Sequence, residues 1–359
     1  MRILFVSRAY PPVTGGIENQ NYALSVWLKR TASVTTVANH HGKKALPLFL
    51  PYATVRALLT MRHYDVLLLG DGVLGILGFL VKLCYPHKTV ASVVHGLDLT
   101  YRNAFYQAFW VKCFLPSLDG IIAVSQETRD VAIARGIPEA KITVIPNGVD
   151  IEAFHGDYTR HHLEELLDVP LADKHVLLTT GRLVKRKGAA WFIREVLPKL
   201  PTDTLYVLAG AGPEEENIRM AIREANMGER VKMLGRISDR DRDLLLNTAD
   251  IFVQPNIHVP GDMEGFGIAV IEATACKRPV VASDLEGLKD AIRHNESGLL
   301  VPPEDSQAFV SALTKLLSEE DTRLALGERA QAYTETHYHW NVISRLYLEA
   351  LETIEKGVQ

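Results

Sequence analysis

Cysteine is scarce in this chain. Cys84, Cys113 and Cys276 are the only three among 359 residues, odd in number and far apart. That excludes a disulfide framework and paired zinc knuckles, and it predicts a reducing compartment. Long apolar runs are missing too: no stretch reaches the roughly 18 residues a membrane-spanning helix needs. The longest candidate, VLGILGFLVKLC at 73–84, carries Lys82 and reads as a buried helix. At the start, MRILFVSRAYPP places only four apolar residues before Ser7 and Arg8, too few for the core of a secretory leader, so none is expected. No Gly-x4-Gly-Lys-Ser/Thr, His-Glu-x-x-His or Cys-x-x-Cys occurs, which leaves phosphate-loop and zinc chemistry without support. Repeats and low-complexity tracts are also absent from the sequence.

What is present points to two globular α/β domains. The chain is 47% hydrophobic and about twice the length of an ordinary single core. Its net charge of −4 hides an asymmetry: residues 1–145 carry 15 Lys and Arg against 8 Asp and Glu, and the remainder 24 against 35. A basic front half is expected to meet an anionic acceptor or membrane surface, with a solvated basic face as the plainer alternative. Runs rich in β-branched residues alternate with longer amphipathic segments: RILFVS, VTTVAN, DVLLLG, TVASVVH, GIIAVS and ITVIPN. After a Gly-, Asp- and His-rich stretch at about 146–173, read as the linker, the rhythm restarts with HVLLTTG, LYVLAG, RVKMLG, IFVQPN, RPVVAS and GLLVPP. This alternation predicts two Rossmann-like, doubly wound parallel-sheet domains facing across a cleft, over 1–165 and 166–339, with a final helix at 340–359 crossing back to the first. Ligands of such sheets bind beyond the carboxyl ends of the strands.

The stretch EGFGIAVIEA puts Glu264 and Glu272 on either side of seven residues. Along a helix these positions would lie about 12 Å and roughly 80° apart, too far for an acid and base pair acting on one glycosidic bond. They are expected to grip different parts of one extended ligand. Gly265 and Gly267 allow main-chain N–H groups to come close, and the helix that follows favours an anion at its start. A nucleoside diphosphate sugar fits that description. Its charge calls for cations, and GRLVKRKG after a strand supplies Arg182 and Lys187, with Lys185 and Arg186 left as surface. In the front half, Gly15-Gly16 opens a helix after the first strand and His95 ends the fourth; a flexible turn and a structural histidine are the plainer readings. GDGVLG at 70–75 matches a dinucleotide fingerprint, but His95 stands where its acidic partner belongs, so glycines opening a helix account for it better.

In order, GGIE, HGLD, PNGVD, GRLVKRKG, GAGP and EGFGIAVIEA resemble the family-4 retaining glycosyltransferases of GT-B architecture, over nearly the whole chain. The resemblance implies roles for matching positions. Gly15 and Gly16 would lie at the leaving phosphate and acceptor, and His95 beside the transferred sugar. Arg182 and Lys187 would stabilise the departing diphosphate. Glu264 would hold the sugar hydroxyls with the N–H groups of Gly265, Phe266 and Gly267, where Ile268 opens the helix, and Glu272 would hold the ribose. Arg236 and Ile237 occupy the place where members hold the base. Neither a metal nor a cofactor is expected beyond the UDP- or GDP-sugar co-substrate. GDMEGFGIAVIEA looks like the GDP-mannose-using, mannosyl-transferring branch.

The expected reaction is transfer of a hexose to an acceptor hydroxyl with retained configuration, the acceptor being a glycan or glycolipid. KKALPLFLPY sets apolar residues beside lysines, which suggests peripheral contact with an anionic membrane from the cytoplasmic side. Nucleic acid is not an expected partner. A sugar-nucleotide epimerase, a phosphorylase, a nicotinamide oxidoreductase and a non-catalytic sugar-nucleotide sensor remain as alternatives, separable by product analysis and by donor binding without turnover.

Overall fold

The β-branched runs read from the sequence all become strands. The structure, a computed structural model, describes residues 1–13, 15–154 and 156–358. Among these residues, twelve strands form two six-stranded sheets, and the paired strands run parallel. The first sheet contains β1 (Arg2–Ser7), β2 (Ser33–Ala38), β3 (Val66–Leu69), β4 (Thr89–Val94), β5 (Gly120–Ala123) and β6 (Ile142–Val144), in the order β2-β1-β3-β4-β5-β6. The second contains β7 (His175–Thr180), β8 (Thr204–Ala209), β9 (Val231–Gly235), β10 (Ile251–Gln254), β11 (Val280–Ser283) and β12 (Leu299–Val301), in the order β12-β11-β10-β7-β8-β9. Central strands such as β3, β4 and β8 are buried along their whole length. Helices cover both faces of such a sheet, so continuous apolar sequence, rather than alternation, is what these strands need.

The chain divides into two compact units. One comprises 1–148, 261–266 and the C-terminal helix Trp340–Val358; the other comprises 149–260 and 267–339. The C-terminal helix packs on the helix Gly16–Leu28 and on β4 of the first unit. The division near Gly148 lies earlier than the expected boundary at 165, and the reason is local. The stretch read as linker contains a helix, Arg160–Leu167, entered through a reciprocal cap between Thr159 and His162. Its buried Leu163 and Leu167, and its packing on the helix Asp239–Thr248, tie it to the second unit. No helix of the described residues is long and apolar enough to cross a membrane.

Candidate functional site

In the second unit, the predicted residues cluster at the carboxyl ends of parallel strands. Arg182 follows β7 and Gly181 and is exposed; Lys187 lies five residues on, buried at 8% exposure. Gly188 makes this turn with φ +66°, and a Cβ there would stand 1.8 Å from the carbonyl oxygen of Pro255, so only glycine lets the lysine loop settle against the chain leaving β10. Ile257 N–H donates to the Arg186 carbonyl at 2.9 Å and fixes that approach. Arg236 and Ile237 follow β9, the first exposed and the second half-buried.

The helix carrying Glu272 runs from Ile268 to Ala275, preceded by Gly267 at φ 99°. It starts four residues after Glu264. The helical separation expected between the two glutamates therefore does not apply, because only Ile268 to Glu272 follow helix geometry. Moreover, the compact units divide between Phe266 and Gly267: Glu264 belongs to the first unit and Glu272 to the second. The first-turn N–H groups of Ile268 and its neighbours form a partially positive end.

The Glu272 side chain is 18% exposed, with Arg242 Nη1 3.9 Å from its Oε1. Burial pushes its carboxyl above the usual range, against the pull of Arg242 and of Lys187, whose charge reaches it. The lysine after β7 and the glutamate on the helix are thus brought into one electrostatic neighbourhood. Sequence reasoning missed Arg242. It sits in DRDRD at 239–243, a charge run of the kind that reads as solvated surface, yet its guanidinium lies 5.4 Å from the Phe154 ring centre and close to Asp239 and Asp243.

In the first unit, the structure joins two distant predictions, His95 and the 264–266 segment. A Cβ on Gly265 would lie 2.3 Å from the His95 carbonyl oxygen, so the two backbones touch where only glycine fits. Thr128 Oγ1 reaches the Gly265 carbonyl at 3.5 Å, and Met263 packs over Gly96. Glu264 and Phe266 are both buried, at 8% and 2% exposure. His95 Nε2 is 3.0 Å from the Gly70 carbonyl; a carbonyl only accepts, so Nε2 carries a proton and donates it. Gly15 and Gly16, both exposed, stand at the start of the helix Gly16–Leu28 after β1.

A buried polar cluster supports His95, and it went unread in the sequence. Asp98 accepts from the His95 N–H and the Gly72 N–H, each at 2.9 Å. Asp71, fully buried, accepts from Arg8 Nε and Val73 N–H at 2.9 Å each. Burial pushes Asp71 upward while Arg8 opposes it, and the Tyr106 hydroxyl, against Asp98 and Asp71, is pushed far up, mainly by its own burial. The signals were HGLD, with an acid three residues after the histidine, and the Asp of GDGVLG, which the dinucleotide comparison obscured.

Where the chain first enters the second unit and finally leaves it, Val149 N–H donates to the Tyr338 carbonyl at 2.8 Å. There Asp150, Glu152 and His339 place three ligand atoms within 4.8 Å of one another. Glu152 is exposed, and the His339 hydrogen bond at 3.0 Å is the main cause holding its carboxyl at about 2.

Two family models match side by side. Residues 9–153 match Glycosyltransferase Family 4, and residues 168–333 match Glycosyl transferases group 1. This chain belongs to the family-4 glycosyltransferases. It is 28% identical over 341 residues, 92% of this chain and 81% of the relative, to the amylovoran biosynthesis glycosyltransferase AmsK of Erwinia amylovora. It is 27% identical, over 94% of this chain and 95% of the relative, to a GDP-mannose-dependent alpha-(1-6)-phosphatidylinositol monomannoside mannosyltransferase of Mycolicibacterium smegmatis. Among solved structures, Anabaena Alr3699/HepE in complex with UDP-glucose superposes with a TM-score of 0.79 at 20% identity, covering 98% of this chain and all of that one. At that identity the likeness establishes the GT-B fold, two Rossmann-like domains.

Proposed function

We propose that this glycosyltransferase moves a hexose from a nucleoside diphosphate sugar to an acceptor hydroxyl and keeps the anomeric configuration. The observation that carries this reading is the second unit's convergence of Lys187, Glu272 and the start of the helix Ile268–Ala275 at strand carboxyl ends. A cation, a helix start and a carboxylate in one neighbourhood are what a diphosphate joined to a ribose requires. Glu272 takes the ribose hydroxyls, Arg236 and Ile237 take the base, and Arg182 and Lys187 take the diphosphate. On the first unit, Glu264 and the main chain of 265–266 take the sugar hydroxyls together with His95, and Gly15 and Gly16 border the acceptor; Gly267, on the second unit, starts the helix that meets the diphosphate.

Chemically, the bond from the anomeric carbon to the diphosphate oxygen breaks and that oxygen gains negative charge. Arg182, Lys187 and the helix start meet the charge, and groups so placed supply about 3–4 kcal/mol each. In this reading that work needs no metal and no cofactor. The acceptor oxygen attacks from the face the diphosphate leaves, and the diphosphate oxygen takes its proton, so retention needs no enzyme nucleophile.

The GDP-mannose dependence of the mycobacterial relative and the acid Asp262 two residues before Glu264 favour GDP-mannose as donor; the UDP-glucose bound to the Anabaena neighbour keeps UDP-sugars as the second reading. The acceptor in this proposal is a glycan or glycolipid presented at the cytoplasmic face of a membrane. A thermal-shift series with UDP-, GDP- and ADP-sugars tests the donor, since a ligand that binds only the folded state raises the melting point. A shift of several degrees with one GDP- or UDP-sugar, abolished by Lys187→Met, is the expected result; no shift with any of them defeats the proposal.

A further inference from the structure

Thirteen large apolar side chains stand exposed among the described residues, and nine of them lie on three connections of the first unit. The helix Leu46–Thr60 carries four: Leu48 at 81% exposure, Tyr52, Val55 and Leu59 at 69%. Spaced 4, 3 and 4 residues apart, these four fall on one narrow stripe of the helix. Phe49, Ala53 and Ala57 bury the opposite side. A helix apolar on both sides belongs inside a protein or against another apolar phase; this one has solvent along its outer stripe. Leu83 ends the next helix, Gly75–Cys84, and Leu97, Tyr101, Phe105 and Phe109 follow directly after His95.

Sheet topology places these segments on one side. They connect β2 to β3, β3 to β4 and β4 to β5, each stepping in the same direction across the sheet, so right-handed crossovers set them on the same face. Packing agrees: the helix Leu46–Thr60 touches Gly75–Cys84, which touches the wide helical turn Gln107–Phe114. Exposed charge on these three connections is of one sign; the exposed acids Asp130 and Glu139 lie beyond them, on the β5–β6 connection. No acid occurs between Glu18 and Asp65, whereas Lys43, Lys44, Arg56 and Arg62 stand exposed there. Between residues 97 and 118 the single acid is Asp98, which is buried and occupied by two N–H donors, while Lys112 is exposed. Arg56 Nη1 also reaches the Tyr52 hydroxyl at 2.7 Å, holding its head beside the apolar stripe.

We propose that this face seats the first unit on an anionic lipid surface, with the helix Leu46–Thr60 lying in the headgroup plane and the aromatic side chains of 101–109 entering beside it. An apolar stripe rimmed by cations and free of exposed acids is the arrangement such a surface selects. A second copy of this chain is the poorer occupant, because a two-fold interface would set the same cations against themselves. The inference adds to the glycosyl-transfer reading the place from which an acceptor arrives: the lipid-facing segment begins two residues after His95.

The test is co-sedimentation of the full chain with phosphatidylcholine vesicles, pure or containing about one-third phosphatidylglycerol, with no sugar nucleotide present, so its outcome is separate from donor binding. Expected is binding to anionic vesicles at ~0.05 M salt that falls at least tenfold at ~0.5 M, with a similar loss for Leu48→Ser with Leu59→Ser and for Lys43→Glu with Lys44→Glu. These side chains are exposed, so an unchanged thermal transition accompanies each variant. Absence of binding at low salt, or equal binding by wild type and both variants, overturns the proposal. So does a dimer in analytical ultracentrifugation that Leu48→Ser with Leu59→Ser dissolves, which would give the face to a second copy.

Discussion

The two units share one architecture and expose different chemistry. Among the described residues, the second keeps its apolar side chains inside, with only Met220 and Leu324 among the large exposed ones, and gathers charged groups near its strand ends: Lys187 and Arg182 after β7, and the pair Glu272 and Arg242. The first shows an apolar, cationic outer face, and its strand-end polar groups are sunk in a buried cluster of Arg8, Asp71, Asp98 and His95. In the proposed reaction, a half that binds a small, highly charged donor needs cations at its strand ends, and a half that positions a neutral hydroxyl needs rigid main-chain geometry, such as the Asp98 bonds to His95 and Gly72 give.

The sharpest way to break this contrast is to remove the second unit's cations. Lys187→Ala with Arg182→Ala is expected to lower kcat by at least about 10³-fold, corresponding to roughly 4 kcal/mol of lost stabilisation of the leaving diphosphate. Arg182 is exposed, so its loss leaves the fold untouched; Lys187 is buried, so Lys187→Met, which keeps the bulk, is the proper control. Turnover near wild type in Lys187→Met would take the charge argument away from the donor half.

Next in size is Asp98→Ala in the first unit. Its two acceptor oxygens satisfy two main-chain N–H groups, and stranding both costs about 2–4 kcal/mol. Here the expected signature is reversed: a clear drop in thermal stability and in kcat, with donor affinity by calorimetry unchanged. A loss of donor affinity as large as the loss of kcat would place Asp98 in the donor's own site and erase the distinction between the units.

How much of this was legible in the sequence follows from the same contrast. All twelve strands could be read, because short β-branched apolar runs recur between longer amphipathic segments, and the central ones, VLLL and TVASVV, are continuous as parallel strands covered on both faces must be. Glu272, Lys187 and the helix after Gly267 were legible as candidates because their glycines and charges follow directly on segments that read as strands. Arg242 was not, since its role arises from folding DRDRD against Phe154 and Glu272, contacts 30 to 88 positions away that local pattern does not encode. Nor was the division of EGFGIAVIEA between the units: periodicity extended the helix back to Glu264, while the left-handed Gly267 starts it at Ile268. The helix Arg160–Leu167 was hidden by the Gly, Asp and His around it, whose turn chemistry outweighs eight residues of helical pattern.

A smaller effect sharpens the donor half through pH. Burial holds the Glu272 carboxyl above its usual range, so as pH falls from neutral it takes up a proton earlier than an ordinary glutamate and loses acceptor capacity for ribose hydroxyls. Affinity for an intact nucleotide sugar, whose phosphates have no second titration near neutrality, is therefore expected to weaken severalfold as pH falls toward that raised value, and Glu272→Gln to bind weakly with no such slope. An identical slope in the variant would assign the titration elsewhere.

The smallest effect belongs to neither ligand. Glu152 and His339 pair at 3.0 Å where the chain first enters and finally leaves the second unit, and the glutamate is held at about 2. A carboxylate depressed in the folded state adds stability above its unfolded value near 4.3 and loses that contribution as pH falls toward 2. Glu152 is 74% exposed, so solvent screens the pair and the contribution is less than about 1 kcal/mol. Glu152→Gln should then lower the melting temperature by a few degrees at most at pH 6, where the wild-type carboxylate is charged, and by nothing measurable near pH 2.5 relative to the wild type. A larger loss at pH 6 would mean that this crossing, rather than the polar cluster around Asp98, sets the stability of the chain.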